Sequence, residues 1–313
     1  MTAHGWAGDH AVYASHVIIE AVRTDEDRFT DLPDWPYEPE YVEDLSGYEG
    51  LRMHYVDEGP KNGEVFLSLH GEPTWAYLFR RMLPLFLESG ARVVAPDFFG
   101  FGRSDKPVDD EVYTWDFHRG SLTAFIQRLD LTDITLVVQD WGGLLGLSLG
   151  ADMTDRISGL LIMNTAFAVG GKPTQGFLDW RDFVARTPDL DVGRLIKQTC
   201  PHLNEEEVRA YDAPFPDDTY KAGVRRFPAI VPTDGDADGV DISKKALRWW
   251  ANEFKGRSFM AIGARDPILA SVMPWVHDRI NGCPEPLILE GAGHFVQEWG
   301  EEVAVAALSQ WQT

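Results

Sequence analysis

The segment Ile134–Gly150, ITLVVQDWGGLLGLSLG, decides how the chain is read. Its first five residues are apolar without alternation, the pattern of a strand buried on both faces of a parallel sheet. The run stops at a polar pair, Gln139 and Asp140, and the glycines Gly142 and Gly143 open a second apolar stretch with helical character. Small residues directly after a strand let the backbone turn sharply into a helix and hold one side chain exposed above the sheet. That is the geometry of a nucleophile elbow, usually written G-x-S-x-G. Two positions depart from the pattern: Val138 takes the first glycine position, and Asp140 takes the place of serine.

The second departure carries chemical information. A serine that displaced a leaving group from saturated carbon would be left as an ether, which water does not readily cleave. An aspartate is left as an ester, whose carbonyl can be attacked by an activated water, so one hard step becomes two easier ones. A carboxylate at the elbow therefore points to attack on carbon bearing a halide, or on an epoxide, and away from esterase or peptidase chemistry.

Outward from the elbow, apolar runs at Val65–Leu69 and Arg92–Ala95 precede it, ending in HGEPTW (His70 to Trp75) and DFFGFGRSDKP (Asp97 to Pro107). Tyr113 to Asp130 has the pattern of an amphipathic helix. After the elbow, strands are expected at Gly159–Met163, Ser258–Ile262 and Leu287–Leu289, with helices at Ser243–Phe254 and Val303–Trp311. Strands alternating with helical segments predict a mostly parallel α/β sheet. The alternation lapses over residues 167–239, which reads as a helical insertion splitting a core of residues 19–166 and 240–313. Residues 1–18 read as a poorly ordered extension, and 19 to 58 as a lead-in, rich in Pro, Asp, Tyr and Glu, that packs over the core.

Composition narrows the function. With 44% hydrophobic residues the chain can fill a large core. No apolar run approaches the roughly 18 residues of a membrane span, and no basic start followed by an apolar stretch suggests a secretion signal. A formal charge of −22 repels nucleic acid and anionic membranes. With eight lysines against 20 arginines, this acidic surface would suit a salty cytoplasm, where screening relieves self-repulsion. Cys200 and Cys283 have no metal spacing and read as free thiols of a reducing compartment. Gly100 and Gly102 suggest a dinucleotide fingerprint, but Asp105 stands where its third glycine belongs. DGDADG (Asp234 to Gly239) copies half of a calcium loop, yet Lys245 takes the position of the essential glutamate. It reads as the loop leaving the insertion.

Asp140, Asp266 and His294 each follow a predicted strand, where an open parallel sheet places its ligand crevice. Their order, nucleophile then acid then base, is that of the α/β-hydrolase triad. His294 would deprotonate water and Asp266 would orient the imidazole. By the same fold pattern, the backbone N–H groups of Glu72 and Trp141 would form the oxyanion hole.

Taken together, HGEPTW, DFFGFGRSDKP, QDWGG, MAIGARDP and NGCPEPL…GAGHFVQE resemble the haloalkane dehalogenases, specifically the subfamily that binds halide with two tryptophans. The resemblance runs from about Ala21 to the C-terminus. It implies an α/β-hydrolase fold with a helical cap, in which Asp140 is the nucleophile, His294 the base and Asp266 the acid. Trp141 and Trp180, in QGFLDWRDF, match the two halide-binding tryptophans. Phe177 and Leu144 would line the substrate pocket. Related branches place Asn at the position of Glu72 and the acid at that of Asn164, so the acid here is Asp266.

The implied reaction takes a short haloalkane and water to alcohol, halide and a proton, with no metal or organic cofactor, in a cytoplasmic monomer or weak homo-oligomer. Two positions depart from the family pattern: the entrance between Asn164 and Gly176 is shorter, and Leu144 replaces an aromatic. Both touch the cavity wall. The main alternative is an epoxide hydrolase, which needs acidic tyrosine hydroxyls; Tyr211 and Tyr220 are the cap tyrosines. A fluoroacetate-type dehalogenase would want arginine where Trp141 stands, and a hydrolase-fold binding protein would usually lack part of the triad.

Overall fold

A computed structural model describes residues 19–312. The extension at 1–18 lies outside the described residues. In chain order the strands are β1 (Ala21–Val22), β2 (Glu40–Val42), β3 (Met53–Glu58), β4 (Val65–Leu69) and β5 (Arg92–Pro96). Then follow β6 (Lys106–Pro107), β7 (Ile134–Val138), β8 (Ile157–Met163), β9 (Arg257–Gly263) and β10 (Leu287–Leu289). The helices are α1 (Leu83–Glu88), α2 (Trp115–Arg128), α3 (Asp140–Ser148), α4 (Gln175–Arg186) and α5 (Val192–Thr199). They continue as α6 (Glu205–Asp212), α7 (Ala222–Arg226), α8 (Val240–Asn252), α9 (Met273–His277) and α10 (Gly300–Trp311).

Eight strands form one sheet in the order β10-β9-β8-β7-β4-β5-β3-β2. Pairing is parallel from β10 to β5 and antiparallel where β3 joins β5 and β2 joins β3. The centre of this sheet is sequence-determined: every residue of β4, β5 and β7 is buried, as continuous apolar runs demand. Helices flank the sheet, α1 packing with α10, and α3 with both α2 and α8. This is the α/β-hydrolase architecture. The segment 19–58 contributes more than a covering: β2 and β3 extend the sheet, and β1 pairs with β6 in a separate ribbon. Residues such as Asp57 and Glu58 mask the strand pattern there.

Between β8 and β9 the described chain holds no strand. Helices α4 to α7 fill the first part of this interval, and the DGDADG loop leads into α8 through Gly239, at φ +83°. Among the described residues no group of three or more His, Cys, Asp or Glu is placed to hold a metal ion. Cys200 and Cys283 are unpaired, and burial pushes the Cys200 thiol up to about 12.

Candidate active site

The elbow is a strained turn held by its neighbours. Asp140 has φ +49°, a conformation that costs a non-glycine residue about 1–3 kcal/mol. Its N–H donates to the Asn164 carbonyl at 2.9 Å, and its own carbonyl accepts from Thr165 Oγ1 at 2.7 Å, both on the chain just after β8. Gly142 shows why a side chain is excluded beside it: a Cβ there would lie 1.8 Å from the Leu69 carbonyl oxygen. The strand-end chain thus runs under the first turn of α3, and the Asp140 carboxyl is carried to the sheet's carboxyl edge.

Three strand ends converge on that carboxyl. From the loop after β4, the Glu72 N–H donates to Asp140 Oδ1 at 2.9 Å. From the loop after β10, His294 brings Nε2 to 3.6 Å from Asp140 Oδ2. From the loop after β9, Asp266 Oδ2 lies 2.9 Å from His294 Nδ1. Asp266 is fixed in turn by Asn164 Nδ2, donating at 2.9 Å, and by the Ile268 N–H at 2.8 Å. Burial alone would raise the Asp266 carboxyl, but the His294 charge and these hydrogen bonds outweigh it and hold its pKa below the usual range. For His294 burial opposes protonation, yet the carboxylates of Asp266 and Asp140 dominate and push it up to about 10.

Supports of this kind were not legible in the sequence. Gln139, the polar residue before Asp140, donates through Nε2 to the His294 carbonyl at 3.0 Å. Asn164 also donates to the Gly263 carbonyl and accepts from the Gly263 N–H, tying the end of β8 to that of β9.

Above Asp140 and His294 lie two chambers that share lining residues. A lobe of about 240 Å³ is lined by Glu72, Asp140, Trp141, Phe177, Trp180 and His294, among others. A larger lobe of about 480 Å³ shares Asp140 and Phe177 and is walled by Leu144, Phe167, Leu269 and Trp275. Residues 165–169 and 171–174, in the segment between Asn164 and Gly176, line this second lobe. The Trp141 indole packs on Phe227 at 4.5 Å and is 2% exposed, whereas Trp180 is half-buried on α4. Helix α4 is anchored to the loop after β9: Thr174 caps it by accepting from the Phe177 N–H and donates to the Ile268 carbonyl at 2.9 Å. Gly176 permits the approach, since a Cβ there would meet the Pro267 carbonyl at 2.1 Å.

The tyrosines of the 167–239 segment, Tyr211 and Tyr220, are placed elsewhere. Tyr211 is fully buried, its hydroxyl donating to Glu298 and accepting from Arg80 at 3.2 Å. Burial and the charge of Glu298 raise its pKa well above the ordinary value, making it a weaker acid than free tyrosine. Neither Tyr211 nor Tyr220 lines either lobe.

A strained elbow carrying an acidic nucleophile candidate, with an acid–histidine pair from later strand ends, defines an α/β-hydrolase, and a sequence profile described as the alpha/beta hydrolase fold matches residues 64–301. Relatives narrow this. Haloalkane dehalogenase 1 of Mycobacterium tuberculosis is 44% identical over 300 residues, spanning 94% of this chain and 99% of that protein. The haloalkane dehalogenase of Psychrobacter cryohalolentis is 39% identical over 297 residues, spanning 91% and 96%. The tetrameric structure of haloalkane dehalogenase DpaA from Paraglaciecola agarilytica NO2 superposes with a TM-score of 0.91 at 51% identity, covering 93% of this chain and 98% of that one. The chain belongs to the haloalkane dehalogenases.

Proposed function

We propose that the protein hydrolyses haloalkanes through a covalent ester on Asp140. Asp140 attacks the halogen-bearing carbon from the opposite side and the halide leaves with the bonding pair. Alkylation removes one of the two negative charges that keep His294 protonated, so the imidazole gives a proton to solvent. It can then take a proton from water as the hydroxide adds to the ester carbonyl. Collapse of the tetrahedral intermediate expels the alkoxide, which takes up a proton as alcohol, and Asp140 returns as carboxylate.

The Glu72 and Trp141 backbone N–H groups serve the oxyanion; the former already meets Asp140 Oδ1. Trp141, in the first turn of α3, has a backbone N–H without an intrahelical acceptor. The smaller lobe takes the departing halide against the Trp141 and Trp180 indoles, which donate and cannot accept. The larger lobe takes the carbon chain, with Leu144 and Phe177 on its wall. In this reading residues 19–166 and 240–313 form the core and 167–239 the cap.

The observation that carries the proposal is the contact of His294 with both Asp140 and Asp266 beside two indoles in one apolar lobe. Bromide release from 1,2-dibromoethane, run beside diol formation from styrene oxide, tests it. Diol without bromide would move the assignment to epoxide hydrolysis, which the placement of Tyr211 disfavours. A monomer or weak homo-oligomer in the cytoplasm is part of the proposal, although DpaA is tetrameric; a stable tetramer in sedimentation velocity would overturn it.

A further inference from the structure

Arg80 ends the 3-10 turn Ala76–Phe79, in the segment after β4 that also carries Glu72. Its side chain is buried, and its guanidinium joins two other parts of the molecule. Nη1 and Nη2 donate to the two carboxylate oxygens of Glu298 at 2.7 and 2.8 Å, a paired fork. Nη2 also donates to Glu207 of α6 at 2.9 Å, and the neighbouring Arg81 donates to both carboxylates. Glu298 lies in the 3-10 turn Val296–Trp299, directly after His294. The Val296 N–H donates to the His294 carbonyl and the Glu298 N–H to the Phe295 carbonyl, both at 3.1 Å, so one short turn links the fork to the imidazole. On the other side α6 packs on α5, whose Leu195 and Thr199 line the smaller lobe. We propose that Arg80 and Glu298 are positioning residues for ester hydrolysis: their fork fixes the His294 loop against α6 and holds the imidazole where it can deprotonate a water facing the Asp140 ester. This rests on the reading of His294 as the base.

Stability alone does not account for such a cluster. Taking charges out of water is costly, and apolar side chains of similar volume often serve a fold as well or better. What an arginine fork imposes is geometry, since two parallel N–H···O bonds fix the distance and the plane of the carboxylate. The charges also balance, Arg80 and Arg81 against Glu207 and Glu298, and none of the four lines either lobe. The cluster therefore acts on the site through position. The two chemical steps depend on that position differently. Attack by Asp140 needs no base, whereas ester hydrolysis needs His294 within hydrogen-bond reach of a water, and a misplacement of about 1 Å can cost about 10² in rate. Loosening the fork should slow the second step and spare the first. The same fork occurs at Arg92 and Asp57, between β5 and β3, with both bonds at 2.7 Å and neither residue lining a lobe. That pair, linked to no catalytic loop, is the natural control.

The test is single-turnover kinetics with 1,2-dibromoethane, in which bromide release reports alkylation and intact-protein mass spectrometry of quenched samples reports decay of the alkyl-enzyme. Arg80→Lys keeps the charge and loses the fork. Arg80→Met combined with Glu298→Leu removes both charges together and leaves Glu207 its bond from Arg81. Arg92→Met combined with Asp57→Leu removes the control fork. Ester hydrolysis is expected to slow about tenfold in Arg80→Lys and by up to about a hundredfold in the Arg80 double variant, with alkylation within about twofold of wild type. The alkyl-enzyme should then accumulate, and kcat and KM should fall together. The Arg92 double variant should melt at a lower temperature with the ratio of the two steps unchanged. Equal slowing of both steps in the Arg80 variants, or the same altered ratio in the Arg92 double variant, overturns the positioning role. Should the Arg80 double variant not fold, Arg80→Lys decides alone, and wild-type hydrolysis there overturns the inference. Steady turnover by His294→Gln, run beside them, instead overturns the reading of the base.

Discussion

The Nε2 of His294 lies 3.6 Å from Asp140 Oδ2, while its Nδ1 hydrogen-bonds Asp266 at 2.9 Å, so one imidazole spans two carboxylates and is bonded to one of them. The pair with Asp266 orients the ring. The approach to Asp140 makes the ring's charge depend on the charge of the Asp140 carboxyl.

Asp140→Asn removes one carboxylate and should lower the pKa of His294 from about 10, visible in imidazole NMR titrations. An unfolded histidine titrates near 6.5. Since the folded value is the higher one, the stabilisation from His294 is complete below about pH 6.5 and is lost as pH rises towards about 10. Asp140→Asn should narrow that window from its alkaline end, and melting curves across pH would show it. An unchanged His294 titration would refute the coupling. The same variant should release no halide.

His294→Gln should separate the two chemical steps. Attack by Asp140 needs no base, so one halide per enzyme is expected, followed by arrest. Mass spectrometry of the intact protein should find the alkyl group retained, and steady turnover would assign the base elsewhere.

Trp180→Phe keeps the aromatic bulk on α4 but deletes the indole N–H. Bromide affinity should fall, and carbon–halogen cleavage should slow more than ester hydrolysis in single-turnover measurements. Removing one preorganised donor from a developing anion typically costs about 10²–10³ in rate.

Asn164→Leu removes the donor to Asp266 and both bonds to the Gly263 backbone. Hydrogen bonds to charged groups contribute about 1.5–3 kcal/mol, so urea denaturation should shift by at least that much. The Asp266 pKa should rise, and ester hydrolysis should slow more than alkylation. Equal slowing of both steps would make Asn164 a general prop for the fold.

Tyr211→Phe addresses the competing chemistry. Its hydroxyl bonds to Glu298 and Arg80 and lines neither lobe, so bromide release should remain close to wild type while stability drops by about 1.5–3 kcal/mol. Loss of activity out of proportion to that change would restore a role for the tyrosine.

The fold was legible wherever hydrophobic burial shows in local pattern. The strand Val65–Leu69 and the elbow strand Ile134–Val138 stand where the apolar runs put them, because both faces are covered and no polar residue interrupts them. Asp140, Asp266 and His294 were legible as strand-end residues in a telling order. β2 and β3 were not, because a strand at the sheet's margin tolerates residues such as Glu40, Asp57 and Glu58. Nor could Gln139 be paired with His294, 155 residues away, or Asn164 with Asp266, 102 residues away. Such hydrogen bonds leave no periodic trace.

The bond from Thr174 to the Ile268 carbonyl, with Gly176 seated on Pro267, has a consequence for anyone recombining these enzymes. Trp180 and Asp266 come from segments far apart in the gene yet share one splint. A lid transplanted from a relative without its matching partner loop would arrive with its tryptophan out of register, however well the lid itself folded. Chimaeras should exchange both pieces together.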